Sequence, residues 1–410
     1  VDAYEPGSVA KPFTVAAAIE CGAITGNEYY NCEGFLNVGD YKIKCHQRFG
    51  DGSISVGEGI ERSCNVVLMN VAFALGENRF VDYQHLFGFG LKTNIDLAGE
   101  ARTASMVFSK DKIGRTELAT NSFGQGFNAT MIQMITGFCS MINGGYYYEP
   151  HVVSKITTAD GATISNIEPR VLKQTVSAST TDRIIEFCNM VVTGEHGTGK
   201  TARPAGYMIG GKTGTAETLP RGNREYVVSF MGYAPADDPQ IAIYVVVDRP
   251  NVQYQDDAKH ATRIVRKVLT EVLPYLNIFM TEELSDEERQ ELEELQIQIR
   301  TPEQNPDEEQ LVDENGNPID PENSENTEET TEDGTTEENT EEEQKTDVWK
   351  EFPIDPASGY AVDPATGNLY DPDTGAQIDG ESMLGDETAE GSTDTASESE
   401  NTDTADENPQ

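Results

Sequence analysis

Apolar and polar positions in the first 280 residues follow two periods. Residues 8–21 are Ala-rich after Pro12 and stop at Gly22, which predicts a helix, because a first-turn proline removes no intrahelical hydrogen bond. Residues 65–75 (NVVLMNVAFAL) are apolar on nearly every side and end at Gly76, the pattern of a buried helix. A third helix is predicted over 181–192. The period then changes. Residues 226–233 and 241–247 are β-rich runs around a Pro/Asp turn, and 210–217 is a shorter strand before them. Over 257–273, Ala258, Ala261, Ile264, Val265, Val268, Leu269, Val272 and Leu273 return to helical spacing, with Lys and Arg opposite. Helices, then a strand meander, then a closing helix predict an α+β fold, an antiparallel β-sheet flanked by helices.

The periodicity fades near residue 279. Ser285 and Glu288 form a capping-box pattern for one short acidic helix, so 280–300 reads as a helix or linker running to about Ile299. Residues 301–410 are rich in Glu, Thr, Asn, Asp and Pro, and predict a long disordered acidic tail. Within it, DPASG, DPATG and DPDTG repeat every eight residues at 355–375, a series of turn formers in a spacer.

Charge follows the same division. The 410 residues carry a net charge of −43, but 281–410 hold 43 acidic and 4 basic residues. Residues 1–280 hold only 29 acidic and 25 basic, so they form a near-neutral domain with no basic stripe for nucleic acid. No uncharged apolar run approaches a membrane span. The chain starts at Val1 with no signal-peptide pattern, so it reads as a mature chain or a fragment.

Three short motifs assemble a nucleophile site. Ser8 and Lys11, three residues apart on a helix, share a face, so the lysine amine can reach the serine hydroxyl. A basic Lys11 must be neutral, which needs burial or a nearby positive charge; Lys212 would supply that charge. Ser63 can pass a proton between the lysines, and Asn65 can hold a substrate carbonyl. Gly214 leaves room for another backbone to pair with its strand, while the hydroxyls of Thr213 and Thr215 suit a carboxylate.

A competing motif is Gly194 to Thr201 (GEHGTGKT), which satisfies the phosphate-binding P-loop pattern, with Asp248 ending a strand as a possible acidic partner. Such a loop needs a strand before it and a helix after it. Here the preceding segment has helical spacing and the following one holds a proline and three glycines, so a Gly-rich loop leading to Lys212 is the stronger reading. His46, His85, His151, His196 and His260 show no metal-ligand spacing, and the six cysteines contain no C-x-x-C pair. No metal or cofactor is expected. Cys32 and Cys45 flank a hairpin-like segment and are placed for a possible disulfide.

The three motifs, together with YEPGS, KPFT, FGFG, FGQG, NGG and GGKTGTAE in that order, closely resemble the transpeptidase domain of penicillin-binding proteins. The likeness is to the monofunctional class B group and covers roughly residues 1–275. It implies a β-lactamase/transpeptidase-like fold over 1–279 and a peptidoglycan D,D-transpeptidase. Ser8 would attack the penultimate D-alanine carbonyl of a stem pentapeptide, with Lys11 as base and Ser63 as relay. Asn65 would position the donor, Lys212, Thr213 and Thr215 would hold its carboxylate, and the amides of Ser8 and Thr215 would form the oxyanion hole. It further implies β-lactam inhibition, lipid-linked precursor strands as substrate, and a glycosyltransferase partner of the elongation, division or sporulation machinery. The expected location is the extracytoplasmic face of the bacterial cell membrane.

Family members carry a membrane anchor, a stalk and the first sheet strands ahead of the serine, whereas Ser8 is the eighth residue here. The chain is therefore read as N-terminally truncated, with the strand at 241–247 presenting an open edge. The family's Thr-Gly after FGFG stands here as Thr93-Asn94, with little consequence expected. A D,D-carboxypeptidase shares the same residues and is the alternative; a P-loop NTPase or a non-catalytic scaffold is more remote.

Overall fold

The computed structural model describes residues 2–295, 297, 361–362 and 369–370, and divides the chain into two units, 1–318 and 319–410. The first unit opens with β1 (Ala3–Tyr4), a 3-10 turn at Gly7–Ala10 and α1 (Lys11–Glu20). The predicted helix therefore splits: Ser8 sits in the tight turn, and α1 starts at Lys11 with Pro12 in its first turn, where no donor is lost. Next come β2 (Tyr29–Cys32), the hairpin of β3 (Phe35–Val38) and β4 (Tyr41–Lys44), then β5 (Gly52–Ser55), which returns to pair with β2. Helices α2 (Val56–Glu61), α3 (Asn65–Leu75), α4 (Glu77–Leu86) and α5 (Arg115–Asn121) follow. Short β6 (Ala129–Thr130) pairs with β1 and leads into α6 (Met131–Met141).

Between α6 and the main sheet lie β7 (Tyr146–Tyr148), the exposed hairpin of β8 (Lys155–Thr157) and β9 (Thr163–Asn166), and β10 (Val171–Gln174), which pairs with β7. Helix α7 (Ala178–Thr193) then leads to the antiparallel sheet of β11 (Gly210–Glu217), β12 (Tyr226–Ala234) and β13 (Ile241–Asp248), in that order. Helix α8 (Lys259–Tyr275) closes the fold, so the expected α+β architecture holds. Among the described residues β13 pairs with β12 alone and forms the sheet edge, as expected.

The central strand shows how the layers are joined. Met231 and Tyr233 join the core built on α1, α3, α6 and α7, whereas Phe230 and Ala234 join the cluster under α8. Alternate residues thus enter opposite cores, and a strand covered on both faces reads as a continuous apolar run. Helix α3 is the hub of the larger core, with Val66, Val67, Leu68, Met69, Val71, Ala72 and Leu75 buried. This is why its sequence shows no polar face. Thr93 is buried with its N–H and hydroxyl on the Glu100 carboxylate, and Asn94 adopts φ 58°. Asparagine tolerates that left-handed backbone, which accounts for its standing where glycine is usual.

The acidic segment after residue 279 holds the expected short helix. Helix α9 (Asp286–Glu294) has the expected capping box but ends before Ile299, and it docks on the domain. Leu292 is 1% exposed and joins Met280, Val265 and Leu269 in the α8 cluster. Glu291 pairs with Arg266, and Glu288 lies 3.2 Å from Arg203. One buried leucine and two ion pairs join the helix to the domain. The second unit contributes, among the described residues, β14 (Ala361–Val362) paired antiparallel with β15 (Leu369–Tyr370), which bracket the middle DPATG repeat. The predicted disordered tail lies otherwise outside the described residues.

Leu292→Ala is expected to cost about 2–5 kcal/mol of α9 docking. Hydrogen exchange should show lost protection over 286–294 while α3 stays protected; unchanged protection would mean the leucine does not anchor the helix.

Candidate active site

Four segments meet at a cavity of about 700 Å³ whose lining includes Ser8, Ser63, Asn65, Thr198, Thr213 and Thr215. The turn carrying Ser8 is held by close backbone packing. Gly7, at φ 62°, donates its N–H to Gly124 O at 2.9 Å, and a Cβ on Gly7 would stand 2.6 Å from Thr215 O. A Cβ on Gly124 would lie 1.9 Å from Gly7 O. Both glycines are thus required by contact as well as by backbone angle. They press the serine turn between the FGQG loop and β11.

Lys11 is fully buried, and its Nζ donates to Ser63 O at 2.5 Å and to Ser63 Oγ at 2.9 Å. Lys212, also fully buried, donates to the same Ser63 Oγ at 3.0 Å and to Thr213 O at 3.0 Å. Ser63 itself holds φ 59°, a left-handed backbone that serine seldom adopts. The two amines therefore converge on one hydroxyl, with both Lys11 hydrogen bonds directed to Ser63 and not to Ser8. Burial pushes Lys11 down to about 8, against an upward pull from Cys45, Cys64 and Asp51. Burial also takes Lys212 well below the usual lysine range, with the Lys11 charge adding to the effect. Burial, one of the two expected causes, thus leads for both amines, and their mutual repulsion acts in the same direction.

The remaining residues follow from strand geometry. Thr213 and Thr215, two apart on β11, both face the cavity. Thr213 Oγ1 shares a 2.7 Å hydrogen bond with Thr198 Oγ1. Asn65 donates from Nδ2 to Lys44 O at 3.1 Å, which orients its amide and leaves a second N–H. Gly214 lies between Thr213 and Thr215 on the same strand. A Cβ there would meet Ser229 Oγ at 2.3 Å and Val9 Cγ1 at 3.0 Å, so the missing side chain also lets β12 and the serine turn pack closely against β11.

The loop at 194–201 is preceded by α7 and followed by a 3-10 turn, so the strand and helix a phosphate loop requires are absent. It instead forms a wall of the cavity: the Glu61 carboxylate accepts from His196 N at 2.7 Å, and Thr198 reaches Thr213. Thr198 carries no sequence signal beyond lying in a Gly-rich loop before β11. The possible Cys32–Cys45 disulfide is not formed, and all six cysteines are free. The β3–β4 hairpin does bring the two together, but it places them with a third thiol, Cys64, whose Sγ is 3.8 Å from Cys45 Sγ. With Asp51 these make a group of four metal-type donors within 4.8 Å of one another, which linear spacing did not reveal.

The family model for the penicillin binding protein transpeptidase domain matches residues 1–270. The chain belongs to this family. It is 35% identical over 281 residues to stage V sporulation protein D of Bacillus subtilis, covering 67% of this chain and 43% of that protein. It is 29% identical to penicillin-binding protein PbpB of Mycolicibacterium smegmatis, over 60% of this chain and 39% of that one. The chain thus spans about two fifths of these relatives' length. The aztreonam complex of penicillin binding protein 3 from Mycobacterium tuberculosis matches at a TM-score of 0.62 and 25% identity, over 69% of this chain and 65% of that one. The transpeptidase domain of the Burkholderia pseudomallei penicillin-binding protein 3 shares the fold at a TM-score of 0.61 and 24% identity, over 69% and 82%. No helix among the described residues is long and apolar enough to cross a membrane.

Thr198→Val should leave the fold intact yet slow covalent reaction with a penicillin by roughly 2- to 10-fold, the rate equivalent of ~0.5–1.5 kcal/mol for one hydrogen bond. Stopped-flow acylation kinetics would measure it, and an unchanged rate would remove Thr198 from the site.

Proposed function

We propose that the chain is the catalytic domain of a peptidoglycan D,D-transpeptidase that works through a Ser8 acyl-enzyme. The observation that carries this reading is the meeting of Lys11 and Lys212 on Ser63 Oγ beside the cavity that Ser8 lines. Ser8 Oγ attacks the carbonyl of the penultimate D-alanine, and its proton passes to neutral Lys11, directly or through Ser63. The tetrahedral oxyanion is held by the backbone amides of Ser8 and Thr215, donors fixed before the reaction begins. Collapse breaks the peptide bond, and the departing D-alanine amine takes up the proton by the same relay. The amine of a second stem peptide then attacks the ester, forms the cross-link and frees Ser8.

Lys212, Thr213 and Thr215 supply the positive charge and hydroxyls that suit the terminal carboxylate, and Asn65 orients the donor backbone. A β-lactam, which presents a strained amide and a carboxylate in the same arrangement, acylates Ser8 by the first half of this cycle. Water in place of the second amine would give a D,D-carboxypeptidase, the alternative the same residues permit. In the full protein the domain would act outside the membrane on lipid-linked precursor strands alongside a glycosyltransferase. The 35% identity to stage V sporulation protein D favours cell-wall synthesis during sporulation over division or elongation.

Fluorescent penicillin should label the wild-type chain covalently and fail to label Ser8→Ala; no label on folded wild type would end the acyl-enzyme reading. Release of D-alanine without cross-linked product from paired stem peptides would favour the carboxypeptidase.

The lowered Lys11 also fixes a pH dependence. Below about 8 the amine is protonated and cannot accept the Ser8 proton, so acylation should slow as pH falls and rise through about 8. A flat acylation profile from pH 6 to 9 would argue against Lys11 as the base.

A further inference from the structure

The cavity that Ser8 lines has two sides of unlike charge, and the acyl-transfer cycle as derived uses neither. On the β11 side, Thr215 Oγ1 donates to Asp256 O at 3.4 Å. Asp256 and Asp257, the only acidic side chains among the described lining residues, therefore stand there, with Lys259 beside them. On the α3 side the lining comes from the end of β4 and the residues after it, which contribute Lys44, His46 and Arg48. No carboxylate stands among these.

Two observations separate these cations from ordinary surface lysines and arginines. The first is a fixed backbone. Lys44 O accepts from Asn65 Nδ2 at 3.1 Å, which ties the end of β4 to the start of α3. Gly34, at φ 85°, closes on Arg48 O so tightly that a Cβ there would collide with it. The second is unmatched charge. The Lys44 and Arg48 side chains are exposed, and among the described residues neither enters an ion pair. Lys42, two residues earlier, sits instead over the Phe35 ring, 3.5 Å from its centroid. Unmatched cations on one wall of a substrate cavity set up a positive potential where a ligand must pass.

We propose that Lys44 and Arg48 form a subsite for a carboxylate on the donor peptide, carried by the side chain of the residue just before the two D-alanines. The placement follows from the two anchors of the donor. Its terminal carboxylate lies against Lys212, Thr213 and Thr215 on β11, so the rest of the peptide must lead away from that strand and past Asn65. The first side chain beyond the D-alanine pair then meets the wall that Lys44 begins. An ammonium and a guanidinium both pair with carboxylate, and the planar fork of Arg48 can take both oxygens. The same wall repels an amine, so the subsite selects by charge in both directions. The direction of the donor rests on the acyl-enzyme reading; the charge preference in binding does not.

The test compares three penicillins that differ only in the acyl side chain beside the ring, which carries a carboxylate, no charge or an amine. Second-order acylation rates on the whole chain should favour the carboxylate over the amine by roughly 2- to 10-fold, as expected of exposed ion pairs. High salt should shrink that ratio. Lys44→Gln/Arg48→Gln should bring it toward one, and Lys44→Glu/Arg48→Glu should invert it. Lys110→Gln, whose amine pairs with Asp82 and does not line the cavity, should keep the wild-type ratio. Each ratio is taken within one preparation, so a partly unfolded variant does not distort it. In parallel, Ser8→Ala is titrated with acyl-X-D-Ala-D-Ala peptides in which X is glutamate, glutamine or lysine. The glutamate peptide should bind tightest, by a similar factor over lysine. Equal rates for the three penicillins, a preference for the amine, or a carboxylate preference that survives in the double glutamine variant would overturn the subsite. Glutamate preference in Ser8→Ala, with no acylation of the wild type by any penicillin, would support the subsite while ending the acyl-enzyme reading.

Discussion

Two lysine amines buried away from water must share one serine hydroxyl, and much of the active-site architecture follows from that requirement. An ammonium group loses its hydration on burial, and two such groups near one another also repel. Both amines are pushed toward neutrality, and Ser63 Oγ, 2.9 Å from one and 3.0 Å from the other, accepts from both. The hydroxyl can stand between them only because Ser63 departs from ordinary helical or extended backbone. A helix continued through Ser63 would turn the side chain away. The chain therefore breaks there, between the end of α2 and the start of α3.

The surrounding fold makes that break tolerable. Helix α3 starts at Asn65 and is buried for most of its length, so the end of the turn is fixed by the largest packing element of the domain. On the other side, β11 carries Lys212 and is paired along its whole length with β12, itself anchored in a core on each face. The serine turn is then fitted between this strand and the FGQG loop by contacts that tolerate no side chain at Gly7 or Gly124. Ser8 is thus positioned by backbone packing, while Lys11 is positioned by hydrogen bonds. Cys64, next to Ser63 in the chain, gathers with Cys32, Cys45 and Asp51.

Much of this was legible in the residues. Strands 226–233 and 241–247 stand out because β-branched and aromatic residues dominate them. Helix 65–75 stands out because a central helix needs no polar stripe. The closing helix was visible from the return of 3.6-residue spacing after the meander. The capping box announced the short helix at 286–294, but its docking was less legible, because Arg203, Arg266 and the α8 cluster that receive it lie far back in the sequence. Thr198 was hidden for a similar reason, since its meaning comes from Thr213 across the cavity and not from its own neighbours.

The sequence by itself determined the order of helices, strand meander and closing helix, and most boundaries of the elements it named to within a few residues, because period, caps and glycine positions are local properties. Tertiary structure decided which groups meet. It turned Lys11 toward Ser63 and made burial the leading cause of its lowered basicity. It also collected Cys32, Cys45, Asp51 and Cys64 into one cluster. Distances between side chains dozens of residues apart depend on how helices and strands pack, and no spacing along the chain encodes them.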